Sequence, residues 1–352
     1  PIGWNAKVGP HGRSRKLNTC TLSTDQGASG WGYCDFDEAA LRRFVGRRVT
    51  DLFDVEVGTS LEARALDIAL HDLAGNILGL PVWSMLGGSQ KRIPIYTGAI
   101  YFDDLYPDGE DPGMAALLDS CAQDAAAGHT NFKLKIGRGC KWMDRAAGDR
   151  RDIAVTQLIR AQYPKAEILV DANDGYSPDG FCRYLEAVAD CGLYWVEEPF
   201  VETVAGLEQL RAKLQERSPR TLIADGENRN DRLVDPPGPF GKWQAEHIDE
   251  LLDLCERGLL DVILPDVGAM GFTAWRGVMP RLIAIGAQAS PHAWSEPFKS
   301  WYAAQIGCAY GHVPMVEGVP GHVDGVDDSA YVVDKGILTL PDRPGFGMDL
   351  TG

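Results

Sequence analysis

The chain has 352 residues, 45% of them hydrophobic, and a formal net charge of −16. That size allows one large domain plus a smaller one, and the acidic balance argues against a nucleic-acid surface, which is normally basic. No run of 18 apolar residues offers a membrane span, and the opening "PIGWNAKVGPHG" lacks a signal-peptide apolar core, so a cytoplasmic protein without membrane partners is expected.

The eight cysteines, at 20, 34, 121, 140, 182, 191, 255 and 308, form no close CxxC pair. Reduced structural cysteines fit this pattern better than a disulfide framework or a thiolate metal site.

In chain order, "KLNTCTLS" at 16–23 alternates loosely and reads as a strand, and "TDQGASGWG" supplies a Gly-rich turn. Residues 60–79 carry a helix signal: Ser60 as cap, then Leu66, Ala69, Leu70, Leu73 and Ile77 at helical spacing. "LGG" closes this unit before "KRIPIYTG", which places a domain boundary near residue 90.

From there a strand-then-helix rhythm repeats. Strands are expected at 92–97, 131–136, 166–171, 193–197, 221–225, 261–265, 286–290 and 314–317. Most of the stretches between them are long enough for a crossover helix, such as "RRDIAVTQLIRAQYP" and "VAGLEQLRAKLQER". Eight strands in this rhythm fit an α/β barrel better than an open sheet. The expected division is 1–90, a barrel over 91–318, and a Gly-, Asp- and Pro-rich segment over 319–352 that returns to the first domain.

The strands finish in polar residues. Lys133 and Lys135 end "NFKLKIG", Asp171 and Asn173 follow "EILV", and Glu197 and Glu198 follow "LYWV". Glu227 lies in "TLIADGEN", Asp266 ends "DVILPD", His292 lies in "QASPHAW", and Glu317 ends "VPMVEG". In a barrel this gathers the chemistry at one rim.

Asp171, Glu197 and Glu227 end three consecutive strands. Taken singly, each reads equally well as a helix cap or a solvated acid. Together they would repel unless a hard divalent cation joined them, and Mg²⁺ suits carboxylates plus substrate oxygens, with Mn²⁺ an alternative. Glu198 and Asp225 are neighbours suited to supporting roles.

Lys133 and Lys135, two apart on a strand, share a face. Mutual repulsion and a nearby metal would lower their pKa values and supply a neutral base. Asp266, ending the strand before His292, would orient that imidazole and raise its basicity. Glu317 either donates a hydrogen bond when protonated or orients a substrate. Such a set suits abstraction of a proton alpha to a carboxylate, with a metal and a facing donor stabilising the enediolate. Returning a proton to the same carbon gives epimerisation. Protonating a beta hydroxyl gives dehydration to a 2-keto acid.

These residues resemble the enolase superfamily in its mandelate racemase group. The resemblance runs through "TDQGASGWG", "ALDIALHDLAGNILGLPVWSMLGG", "KLK", "DAN", "WVEEP", "GEN", "PD" with a later glycine, "PHAW" and Glu317. It implies a modified (β/α)7β TIM barrel with an N-terminal α+β capping domain, whose loops close the site. It implies a Mg²⁺ site at Asp171, Glu197 and Glu227, with Asn173 near metal and substrate. Lys135, partnered by Lys133, then works one face of the substrate, and the His292–Asp266 dyad works the other. Glu317 contacts the carboxylate or enediolate oxygen. Octamers or dimers are expected from the same resemblance.

Three departures stand out. The family usually has a strand ahead of the segment where this sequence starts, which suggests a trimmed N-terminus. Tyr33 and Cys34 follow "GWG" where a Glu is frequent. "DVGAMGF" lacks the basic residue common after the aspartate. Within the group, the lysine pair plus His–Asp dyad points to a dehydratase of an aldonate or aldarate that gives a 2-keto-3-deoxy acid sugar. A racemase or epimerase, and a non-catalytic metal-stabilised scaffold, are the other readings. His11 and Arg13 are candidate contacts to substrate carboxylate or hydroxyls. Trp4, Trp31 and Trp294 are candidate pocket walls, or else core and loop anchors.

Overall fold

The computed structural model describes residues 4–9, 14, 16–34, 36–105, 112–227, 242–294 and 296–351. His11 and Arg13 lie outside the described residues. Among the described residues no helix is long and apolar enough to cross a membrane.

The N-terminal cap pairs β1 (Thr19–Ser23) antiparallel with β2 (Ser29–Tyr33) and lays β2 on α1 (Asp67–Leu78). The glycines of "GASGWG" permit this contact. A Cβ at Gly30 would come 2.3 Å from the Leu73 nitrogen, and one at Gly32 would come 2.5 Å from Ile68 Cγ2. Gly79, left-handed at φ 67°, ends the helix.

The start of that helix differs from expectation. Ser60 makes no side-chain cap, and Leu61–Leu66 is a 3-10 segment that buries Ala63, Ala65 and Leu66. Asp67 opens the α-helix instead, because its carboxylate reaches across to the barrel. Its Oδ2 accepts from Thr273 N at 2.9 Å. Leu66, Ala69, Leu70 and Leu73 are buried as the spacing predicts, whereas Ile77, in the last turn, is 51% exposed.

The barrel runs β3 (Arg92–Ile100), β4 (Phe132–Lys135), β5 (Ile168–Asp171), β6 (Trp195–Glu197), β7 (Leu222–Asp225), β8 (Val262–Ile263), β9 (Gln288–Ala289) and β10 (Val316–Gly318). Each of β3 to β8 pairs parallel with its successor, and β10 pairs parallel with β3. Ala289 N donates to His312 O at 2.9 Å, which closes the circle between β9 and β10. The crossover helices are α2 (Ala115–Ala126), α3 (Arg145–Gln162), α4 (Pro178–Ala187), α5 (Val204–Arg217), α6 (Lys242–Glu256), α7 (Phe272–Ile285) and α8 (Pro297–Tyr310). Their caps follow the sequence: Asp144, Ser177 and Thr203 each accept backbone N–H groups at the starts of α3, α4 and α5.

The barrel is filled, not hollow. Tyr96, Leu169, Trp195, Ala224, Val262, Leu264 and Met315 form its interior cluster. All eight cysteines are free. After β10, residues 332–334 and 337–339 form a hairpin whose second strand pairs antiparallel with β3. The chain then crosses to the cap. One carboxylate organises that meeting: Asp72 Oδ2 accepts from Trp31 N at 3.0 Å and Oδ1 from Phe346 N at 2.7 Å.

Candidate active site

The row of functional groups is set by backbone register. Lys135 is opposite Asp171, and Asp171 is opposite Glu197, in successive parallel ladders. All three side chains therefore leave the sheet on the same face at the same height. Asp266 and His292 form a further parallel bridge between the ends of the later strands.

Oxygens of Asp171, Glu197 and Glu227 lie within 4.8 Å of one another. Among the described residues this trio is the His, Cys, Asp or Glu grouping with metal-like spacing. The donor set fits a hard cation. Further groups fix it from behind: Trp195 Nε1 donates to Glu197 Oε2 at 3.0 Å, and Asn173 N donates to Asp171 Oδ1 at 2.9 Å. The Asn173 side chain donates to Glu198 Oε2 at 3.1 Å, from a left-handed backbone at φ 42°. Glu198 is thus a supporting group. Asp225 belongs to a buried acidic neighbourhood with Glu202, and burial first, then Glu202, pushes its carboxyl well up.

The lysines do share one face, as their spacing predicts, and both stand among carboxylates. Lys133 is fully buried, 2.7 Å from Glu197, 3.0 Å from Glu317 and 3.7 Å from Asp171. Lys135 pairs with Asp171. Burial lowers both ammonium pKa values, but the carboxylates outweigh burial and raise them. Asp171 shows the reciprocal effect: burial raises its pKa, while Lys135 and Lys133 together bring it below the ordinary carboxylate value.

At the other end of the trio, His292 Nε2 sits 3.2 Å from Glu227 and 3.5 Å from Glu317, while Nδ1 is 3.2 Å from Asp266. Burial lowers the imidazole pKa, but Glu227, Glu317 and Asp266 raise it to about 9. Glu317 is ionised. Burial works against this, but Lys133 and His292 hold it at about 2, and Ala293 N donates to its Oε2 at 3.0 Å. Of the two roles left open for Glu317, orientation fits this state. The cleft for Glu317 exists because residue 98 is glycine; a Cβ there would come 2.1 Å from its Oε1.

Trp31 is structural, since its Nε1 donates to Met348 O at 3.1 Å. Trp4 is an anchor, edge-on to Trp142 with ring centroids 4.9 Å apart. Trp294 is half-buried two residues beyond His292.

Sequence reasoning missed two neighbours. Lys299 Nζ donates to Asp266 Oδ2 at 3.1 Å. The ring of Tyr101 lies 5.7 Å from Lys135 Nζ. A bulge places Tyr101. Thr97 is opposite Phe132 but Ile100 is opposite Leu134, so β3 carries one extra residue and Tyr101 takes the position beside Lys135. Without an alignment of strands, that extra residue is invisible in the sequence.

The fold and site define a barrel enzyme with a carboxylate trio spaced for a cation at its rim, flanked by an amine on one side and an imidazole on the other. A family model described as "Enolase C-terminal domain-like" matches residues 116–233 and 243–352. Galacturonate dehydratase from Geobacillus sp., solved with D-galacturonate and 5-keto-4-deoxy-D-galacturonate, is 30% identical. It superposes at a TM-score of 0.88, covering 99% of this chain and 89% of that one. A mandelate racemase/muconate lactonizing protein from Geobacillus sp. Y412MC10, solved with magnesium and tartrate, is 29% identical at the same TM-score, over 99% of this chain and 88% of that one. D-galactarolactone cycloisomerase of Agrobacterium fabrum is 25% identical over 94% of this chain and 87% of its own length. The chain belongs to the enolase C-terminal domain-like family and is an enzyme of that family. The fold expectation, a barrel with a capping domain, is met.

Proposed function

We propose that this protein is a Mg²⁺-dependent dehydratase of an acid sugar, removing the proton alpha to a carboxylate and expelling the beta hydroxyl. The observation that carries the reading is the bracketing of the carboxylate trio: Lys135 contacts it at Asp171, and His292 contacts it at Glu227. The similarity to a galacturonate dehydratase and the presence of magnesium in related structures support it.

A divalent cation bound by Asp171, Glu197 and Glu227 would supply positive charge beside the substrate's carboxylate and offset the negative charge around the two lysines. The remaining steps belong to side chains. Lys135, released from Asp171, takes the alpha proton, and the C–H electron pair moves into the carboxylate to form an enediolate. Lys133, between Glu197 and Glu317, is placed to hydrogen-bond an enediolate oxygen. The His292 imidazolium gives its proton to the beta hydroxyl as the C–O bond breaks. Water leaves, and the enol becomes a 2-keto acid. For a substrate of opposite alpha configuration the two groups exchange tasks.

The test is a screen of the Mg²⁺-loaded protein against uronates, aldonates and aldarates, with D-galacturonate included, read by semicarbazone formation. A 2-keto-3-deoxy product, or its 5-keto-4-deoxy uronate counterpart, is expected. Deuterium entering the alpha position with inversion but without loss of water would replace dehydration by epimerisation. No exchange with any acid sugar would sink the reading.

A further inference from the structure

Asp266 is held from four directions. Its Oδ1 accepts the backbone N–H groups of Gly268 and Ala269, both at 2.8 Å. Its Oδ2 accepts from His292 Nδ1 at 3.2 Å and from Lys299 Nζ at 3.1 Å. Lys299 comes from the first turn of α8, 33 residues beyond its partner.

Three observations make this lysine a built part of the dyad. First, the opening turn of a helix is electrostatically unfavourable for a cation, so the carboxylates around Lys299 must offset the cost of placing it there. Second, its side chain is only 13% exposed and lies between two acids, Asp266 and Glu296, with Glu296 Oε1 at 3.9 Å. Third, the backbone facing it is glycine: a Cβ at Gly268 would come 2.8 Å from Lys299 Cε and 3.2 Å from Asp266 Oδ1. The stretch "DVG" therefore leaves a lane for an amine that arrives from another element.

Glu296 and His292 ride on one connection, between β9 and α8, and Asp266 follows β8. Lys299 touches acids on both sides of that gap. We propose that Lys299 is a positioning residue: it clamps the connection carrying His292 against Asp266 and so keeps His292 Nε2 aimed at the substrate space beside Glu227 and Glu317. The consequence for catalysis rests on the acid–base role given to His292 above. Without the amine, the link between Asp266 and the buried Glu296 is lost, and the connection relaxes. A displacement of about 1 Å at an acid–base group costs on the order of 100-fold in rate.

A cavity of about 240 Å³ adjoins this clamp between cap and barrel, bordered by Lys299, Asp266, Glu296 and Tyr302 on one side and by Tyr33 and Arg64 on the other. It gives a small ammonium ion room to enter when Lys299 is shortened.

The experiment begins without substrate. In Mg²⁺-loaded protein labelled with ¹⁵N-histidine, the His292 ring signal is identified by its loss in His292→Gln. We expect a sharp signal from the Nδ1–H that faces Asp266 in the parent. Lys299→Met should broaden or shift that signal while the circular dichroism stays that of the parent. An unchanged His292 signal in Lys299→Met overturns the clamp. In Lys299→Ala, ethylammonium should restore the parent signal and ethanol should not. Equal effects of the two, or none from either, also overturn it, and this arm needs no other variant to fold. Alpha-proton exchange is then measured with the C2 epimers D-galactonate and D-talonate. Lys299→Met should slow the epimer whose proton faces His292 by roughly 10- to 100-fold and the other by less than about 3-fold. Equal slowing of both overturns the positioning role. If the parent protein exchanges neither epimer, nor any other acid sugar, the dehydratase reading fails, while the ring signal still decides the clamp.

Discussion

Asp266 and His292 face each other across a single parallel bridge between neighbouring strand ends, and their side chains meet at 3.2 Å. The backbone thus sets the imidazole's direction before any substrate arrives. Lys135 is held in the same manner by its pairing with Asp171. The two acid–base groups belong to separate pairs, so they should fail separately.

That separation gives the first prediction. His292→Asn should abolish alpha-proton exchange from one configuration and Lys135→Ala from the other, each by about 10²- to 10⁴-fold. Mg²⁺ affinity, read by calorimetry, should survive in both. Normal turnover by Lys135→Ala on every active substrate would remove the lysine from the base role.

Gly98 is the second target. Its missing side chain is the space that Glu317 Oε1 occupies. Gly98→Ala should displace Glu317, lower kcat at least about tenfold, and cost about 1–3 kcal/mol of stability by overpacking. Steady-state rates and thermal melts together check this. A variant with parental kcat would show that Glu317 does not depend on that space.

Cation binding should register in stability. The acids of the trio and Glu317 crowd around two lysines and His292, so a divalent ion relieves repulsion. At a hundredfold excess over its dissociation constant, a ligand that binds only the folded state adds about 2.7 kcal/mol. Mg²⁺ should raise Tm over EDTA-treated protein, and Asp171→Asn should blunt the rise. An equal rise in that variant would place the ion elsewhere.

His129 predicts an acid weakness unrelated to catalysis. It is 5% exposed, its Nδ1 has no hydrogen-bond partner among the described residues, and burial lowers its pKa to about 4. Unfolded histidine binds a proton near pH 6.5, so below that the unfolded chain holds more protons than the native one. Stability should therefore fall as pH drops from about 6.5 to 4, by about 3 kcal/mol from this residue. Denaturant titrations at pH 7 and pH 4.5 measure the slope, and His129→Asn should flatten it. A parental slope in the variant would refute the assignment.

The rhythm of strands and the polar residues that end them were legible because a barrel strand announces itself by a short apolar run and a change of chemistry at its end. Asp171, Glu197, Glu227, Asp266 and His292 all came from that pattern, and the structure brings them together. Three features resisted the same reading. Ser60 has the right chemistry for a cap, but Asp67 starts the helix because Thr273, 206 residues away, receives its carboxylate. Lys133 does lower the pKa of Lys135, as the spacing predicts, but the acids around the pair, Asp171, Glu197, Glu227 and Glu317, outweigh it. Lys299 had no local signal at all, since its partner lies on another barrel unit.

Lys135, Asp171 and Glu197 stand in one hydrogen-bonded row across three strands. A slip of one residue in any of these ladders would turn that strand's functional group to the outside of the barrel. The reactive groups are therefore tied to the part of the molecule least free to drift, while the cap can change residue by residue without touching the row.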